Sequence, residues 1–138
     1  MYPLPDRRLS PRDSATHAAE VFGRDAVVEW AEELLAGRAG DMDRRYPDIA
    51  WLRGTPGWPS YWVRVWGARA LLHLGPARPQ VVLGATGDEE WRVREMALKV
   101  IAAHRLDDPD GVVDGLVDDP VERVRAQAWR ALGRVGSS

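Results

Sequence analysis

No cysteine occurs among the 138 residues. That absence excludes disulfides, thiolate metal centres and cysteine nucleophiles, and it makes a reducing cytoplasm the expected compartment. An apolar run long enough to cross a bilayer is missing as well, and Met1-Tyr2-Pro3-Leu4-Pro5-Asp6-Arg7-Arg8 lacks the apolar centre of a secretory signal. Neither export nor membrane insertion is expected. Charge of one sign is not in excess: 19 basic against 21 acidic residues leave a formal net charge of −2. No overall field draws the chain to nucleic acid or anionic lipid, so any such binding has to come from a local patch. The sequence holds no Walker loop, dinucleotide fingerprint or Gly-x-Ser-x-Gly elbow, and Gly84-Ala85-Thr86-Gly87 reads as a turn between helices.

Histidine is scarce, and His17, His73 and His104 do not fall at a metal-ligand spacing. His73 and His104 end helical segments, where the helix dipole favours a partly cationic ring. Acidic pairs such as Glu32-Glu33, Glu89-Glu90, Asp107-Asp108 and Asp118-Asp119 fall mostly in turns, where capping accounts for them. No catalytic site, no cofactor and no metal is expected.

What is present is a repeat. Hydrophobic residues at 45% and charged residues at 29% describe an ordinary domain able to bury its own core. Within it, Val63-Arg64-Val65-Trp66-Gly67-Ala68-Arg69-Ala70-Leu71 aligns with Val93-Arg94-Glu95-Met96-Ala97-Leu98-Lys99-Val100-Ile101 and with Val124-Arg125-Ala126-Gln127-Ala128-Trp129-Arg130-Ala131-Leu132, at offsets of 30 and 31 residues. Counting the first valine as position 0, each copy has apolar or small residues at 0, 4, 7 and 8 and basic residues at 1 and 6. This is the stripe of an amphipathic helix; a strand would alternate.

Acidic turns introduce the later copies. Asp88-Glu89-Glu90 precedes Trp91, and Asp118-Asp119-Pro120 precedes Val121, reading as aspartate N-caps with proline at the first helical position. The shorter segments Pro79–Ala85 and Gly111–Val117 read as partner helices, so the unit is helix, turn, helix. The pattern Asp-x-x-x-x-Val-Arg-x-x-Ala-x-x-Ala-Leu-Gly, matched by Asp119 to Gly133, resembles the second helix of bacterial HEAT-like repeats.

That resemblance implies an all-α fold, an α-solenoid of about three HEAT-like helix pairs over residues 46–75, 76–105 and 106–136. Gly54, Pro56, Gly57 and Pro59 interrupt the first copy's leading helix. Neighbour-only contacts and a minimum of about three units go with such a stack. Residues 14–45 form an N-terminal capping helical region, in which Val27, Trp30, Ala31, Leu34 and Leu35 line one face of a helix over Asp25–Ala36. Residues 1–13 are expected to be a disordered arm.

Three groups of side chains are candidates for function. Arg64, Arg94 and Arg125 form one basic ladder and Arg69, Lys99 and Arg130 a second. Such ladders suit successive phosphates or an acidic partner, or else ion pairs with acidic turns of their own or the preceding repeat, the simpler account for the first. Seven tryptophans are present, four of them between Trp51 and Trp66. Trp58, Tyr61 and Trp62 are the expected exposed rings of an aromatic cleft, whereas Trp66 falls at a core position.

The leading functional reading is a non-catalytic module that holds a protein partner. The alternative is nucleic-acid binding, including recognition of damaged DNA. Tyr61-Trp62-Val63-Arg64 and Trp91-Arg92-Val93-Arg94 are similar to the Trp-Val-Arg helix starts of HEAT-like DNA-alkylation-repair glycosylases. Those enzymes set an aspartate beside tryptophan, and Ser60 to Gly75 contains no acidic residue. A further resemblance, to HEAT-like lyase subunits that attach bilins to light-harvesting proteins, rests on the repeat alone.

Overall fold

In the computed structural model, which describes residues 3–136, Ser10 opens the first helix by accepting a bond from the Asp13 amide at 3.1 Å. Pro11 occupies the first helical position, where a missing N–H costs nothing. Helix α1 (Pro11–Phe22) ends at Gly23, whose φ of 92° reverses the chain directly into α2 (Arg24–Leu35). The buried face of α1 is made of Ser14, Ala15 and Ala18, residues small enough for close approach to α2 and α3. Of the arm expected over residues 1–13, Met1 and Tyr2 lie outside the described residues, and Pro11 to Asp13 are helical. Upstream of them, the Pro3 carbonyl accepts from the Trp51 indole at 2.7 Å and the Arg7 carbonyl from Arg53.

After a loop and a 3-10 turn over Ile49–Leu52, the chain forms α3 (Ser60–Leu74), α4 (Pro79–Ala85) and α5 (Trp91–His104). A four-residue α6 (Val112–Gly115) runs into a 3-10 turn at Leu116–Asp118, and α7 (Glu122–Leu132) comes last. The fold is all-α: among the described residues no strand forms, and only an isolated bridge joins Asp107 to Gly136. Helix α2 lies against α3, α3 against α5 and α5 against α7, in chain order; α4 and α6 lie against α5 and α7. Position 0 of the repeat is buried in all three copies, at Val63, Val93 and Val124.

Position 4 carries Gly67, Ala97 and Ala128, and each is buried. Glycine is required in the first copy, because a Cβ on Gly67 would stand 2.6 Å from the Ala31 carbonyl oxygen and 3.0 Å from Leu34 Cβ, where α3 crosses α2. Glu32 on the same stretch of α2 is fully buried, and its carboxylate accepts the amides of Ala77 and Arg78 at 2.9 and 2.5 Å and Arg78 Nε at 3.1 Å. Glu33 receives Arg38 and Arg78. These two acids sit inside α2 and tie it to the α3–α4 connection.

The first basic ladder is structural, with a direction different from the one expected. Arg64 makes a two-pronged bond to Asp88, Nε to Oδ2 at 2.8 Å and Nη2 to Oδ1 at 3.2 Å. Arg94 repeats it on Asp119 at 2.8 and 3.1 Å. Each arginine therefore reaches forward to the acidic turn of the following copy. To the turn of its own copy it gives only backbone contacts: Arg94 Nη1 donates to the Asp88 carbonyl at 2.9 Å and Arg125 Nη1 to that of Asp119 at 2.8 Å.

The same demand displaces the expected caps. Glu90 and Val121 stand at the N-cap positions without a side-chain bond, and Pro120 lies outside α7. Asp88 and Asp119, two residues earlier, each accept the amide two residues on, at 2.9 Å. A carboxylate bent back over its own turn in this way remains open to the arginine of the preceding helix.

Two measurements check this packing. Gly67→Ala gains about 1 kcal/mol of helix propensity, yet the clash with backbone makes a net loss of about 1–3 kcal/mol the expected result in denaturant unfolding. Arg94→Ala strands the Asp119 carboxylate, which is nearly inaccessible, and is expected to cost roughly 3–5 kcal/mol. For Asp119, burial pushes the pKa up, but the bonds from Arg94 and the Val121 amide and the charges of Arg94 and Arg125 outweigh it and hold it below 3.8. The stability it contributes is complete above that ordinary value and is lost as pH falls through the lowered one. Acid titration of unfolding is expected to be shallower in Asp119→Asn.

Candidate binding surface

The two residues ahead of position 0 form a line that the repeat alignment passes over. They are Tyr61 and Trp62 in the first turn of α3, Trp91 and Arg92 in the first turn of α5, and Glu122 and Arg123 in the first turn of α7. Because the helices lie side by side in register, these residues meet. Trp58 meets Trp62 edge-on at 5.7 Å between ring centres, and Trp62 meets Tyr61 at 5.5 Å. The Arg92 guanidinium stands over Tyr61, Trp62 and Trp91 at 5.4, 5.7 and 4.5 Å, and Arg123 stands over Trp91 at 5.3 Å. Aromatic rings and guanidinium groups thus alternate across three helix ends, each cation held by the ring face's negative potential.

Both cations are also neutralised, Arg92 by Glu90 at 2.6 Å and Arg123 by the buried Glu95 at 3.0 Å. Trp58, Tyr61 and Trp62 were the rings expected at the surface. Trp58 is 51% exposed, whereas Tyr61 and Trp62 are half-buried against the core. Trp58 occupies, in the first copy, the place that Asp88 and Asp119 hold in the others, so it forms no turn anchor and its ring is left at the rim. Beside it Gly37 to Asp41, Leu34 and Arg64 line a hollow of about 290 Å³, and the Asp41 carboxylate holds the Gly57 amide at 2.8 Å. Trp51 and Trp66 belong to the core.

The second ladder does not form one face of equivalent cations. Arg69 is turned inward, donating to the Leu52 carbonyl at 2.9 Å and the Arg53 carbonyl at 3.4 Å, where it closes the 3-10 turn; burial and then the nearby Arg53 push its pKa down. Arg53 has left-handed backbone, with φ 65°, so these carbonyls end the turn without a following helix to use them. Lys99 and Arg130 do come together, with Arg134, around a shallow groove of about 510 Å³. Lys99 is 4.0 Å from Glu95, and Arg130 bonds Gln127 at 3.3 Å. Burial, then Arg12, Arg69 and His104, push the His73 pKa down, against the partly cationic ring expected there.

An aromatic surface with paired arginines has the composition of a protein interface, in which tryptophan, tyrosine and arginine provide most of the binding energy. Among the described residues, no group of three histidine or carboxylate side chains converges as metal ligands would. No helix among them is long and apolar enough to cross a membrane. Comparison with protein-family models, curated proteins and solved structures returns no match. The functional reading therefore rests on this chain's own residues.

The three members of the second ladder are expected to contribute unequally to stability. Arg69→Ala is expected to lower unfolding free energy by about 1–3 kcal/mol, since it leaves the part-buried Leu52 carbonyl without this donor. Lys99→Ala and Arg130→Ala are expected to stay within about 0.5 kcal/mol of the parent. Equal losses in parallel urea titrations would show that the ladder acts as a unit after all.

Proposed function

We propose that this protein is a non-catalytic interaction module, a short HEAT-like α-solenoid capped by its first two helices, that holds a protein partner on the surface around Trp58, Tyr61 and Trp62. The repeat reading draws support from the shared register of α3, α5 and α7, from the forward-reaching arginines of α3 and α5, and from the chain-order contacts of these helices. A cysteine-free composition suits work in a reducing cytoplasm.

One observation carries the choice of a protein partner. The arginines of the helices around this surface are already committed: Arg64 and Arg94 to carboxylates, Arg69 to the Leu52 and Arg53 carbonyls, Arg92 and Arg123 to glutamates. The large group left open at this surface is the Trp58 ring. Phosphate binding depends on cations that are free to displace counterions, whereas a neutral, partly exposed aromatic patch suits another protein surface.

The second reading, nucleic-acid binding, draws on Lys99, Arg130 and Arg134 around the 510 Å³ groove. Recognition of damaged DNA by the Trp-Val-Arg starts has less support, because their arginines, Arg64 and Arg94, are the ones closed in ion pairs.

Affinity capture with and without nuclease separates the two. The expected outcome is one protein enriched at near-equal stoichiometry, retained after nuclease and reduced at least tenfold by Trp58→Ala. Recovery of nucleic acid, or of proteins that vanish on nuclease treatment, would overturn the proposal and turn attention to Lys99 and Arg130.

A further inference from the structure

Trp51 and Trp58 put the same side-chain group to opposite uses. The Trp51 ring is in the core, and its indole N–H donates to the Pro3 carbonyl at 2.7 Å, within the run Pro3-Leu4-Pro5, which forms no helix or turn. No other tryptophan among the described residues gives its indole N–H to a protein acceptor. Ser14 Oγ is the one buried side-chain polar atom among those residues that lacks a partner. The Trp62 indole N–H and the Tyr61 hydroxyl, which also bond nothing there, therefore reach solvent, as does the exposed Trp58 ring. Rings and unused donors run together along one line, with 5.7 Å between the centres of Trp58 and Trp62 and 5.5 Å between those of Trp62 and Tyr61.

The chemistry along this line narrows what can lie on it. Acidic and phosphorylated segments are held by free arginines, and here Arg64, Arg92 and Arg123 are each paired with a carboxylate. Strand addition needs a sheet edge, and no strand forms among the described residues. An amphipathic helix needs a continuous apolar trough, whereas the hollow beside Trp58 is walled by Arg38, Asp41, Ser60 and Arg64 as well as by Leu34 and Val63. A polyproline segment asks for what is present: aromatic rings to receive its prolyl rings, and donors for carbonyls that have no partner within the segment. Polyproline rises about 3.1 Å per residue, so alternate residues fall about 6 Å apart, close to the spacing of these rings.

We infer that the line from Trp58 through Trp62 to Tyr61 takes a proline-rich segment of another protein. Its prolyl rings lie against the aromatic rings, and its carbonyls accept from the Trp58 and Trp62 indoles as the Pro3 carbonyl accepts from Trp51. Arg92, over Tyr61 and Trp62, fixes the planes of those two rings. Both partners are thus stiff before they meet, and little ordering is lost on binding. The inference rests on the protein-binding reading and adds to it the chemical class of the partner.

The test is a nuclear magnetic resonance titration of the full chain, isotope-labelled at tryptophan, with capped decaproline up to about 5 mM and with a glycine–serine peptide of equal length. Decaproline is expected to give saturable shifts of the Trp58 and Trp62 indole N–H resonances and to leave that of Trp51 in place, while the glycine–serine peptide moves none of them. Trp58→Ala should weaken decaproline binding at least tenfold with thermal unfolding unchanged, since the ring is exposed. Trp62→Phe keeps a ring and removes the donor, and should weaken it at least threefold, a loss that packing alone does not produce. Unmoved indoles, equal shifts with both peptides, shifts confined to Trp51, or binding that survives Trp58→Ala overturns the inference. If affinity capture then still recovers a protein that Trp58→Ala loses, the interaction-module reading stands without it; if capture yields only nucleic acid, both fall.

Discussion

The order of α3, α5 and α7 depends on one arrangement, an arginine from each of the first two gripping the aspartate ahead of the next helix. Asp88 and Asp119 each accept two prongs from the helix before and one amide from their own turn, while their carbonyls accept the arginine of their own helix. One residue thereby orients three things: the turn, the helix it introduces and the helix that precedes it. Buried pairs of this kind contribute little net energy over an apolar equivalent. Their effect is to select register, since a helix slid by one residue would leave both charges without a partner.

The first copy departs from this scheme, and the departure is where the candidate surface arises. Trp58 replaces the aspartate, α2 offers no forward arginine, and the connection is made instead by Glu32 reaching to the amides of Ala77 and Arg78. The space near the first copy is filled by rings. Trp51 and Trp66 close the core, Trp62 and Tyr61 lie across its edge, and Arg92 continues the line to Trp91. The irregular loop, the tryptophan density and the aromatic patch thus share one cause: the first unit lacks the turn that the other two use.

The repeat helices were legible in the sequence because their stripes are long and their offsets regular, and α4 matches its expected limits at Pro79 and Ala85. Helix α1 was not, since Ser14, Ala15 and Ala18 make a buried face too small to stand out as hydrophobic. The forward direction of the first ladder escaped as well: Asp88 and Asp119 lie six residues from the arginine of their own copy and 24 and 25 from the one before, and only the packing of the helices brings the distant arginine to the carboxylate. Trp91, Arg92 and Arg123 lie just ahead of the aligned block, so their meeting appears once three helix ends are set side by side. Arg69 shares a repeat position with Lys99 and Arg130, yet it turns inward because the 3-10 turn over Ile49–Leu52 leaves the Leu52 carbonyl open to it.

Helices linked by ion pairs that all point the same way are held unequally along the row. Each arginine–aspartate pair bears on the joint between two successive long helices, beside the apolar seam of that joint. Helix α7 packs on α5, where Arg94 grips its leading turn and Arg123 reaches Glu95, whereas α3 is enclosed by α1, α2 and α5. The joint at α7 is therefore expected to open before those around α3.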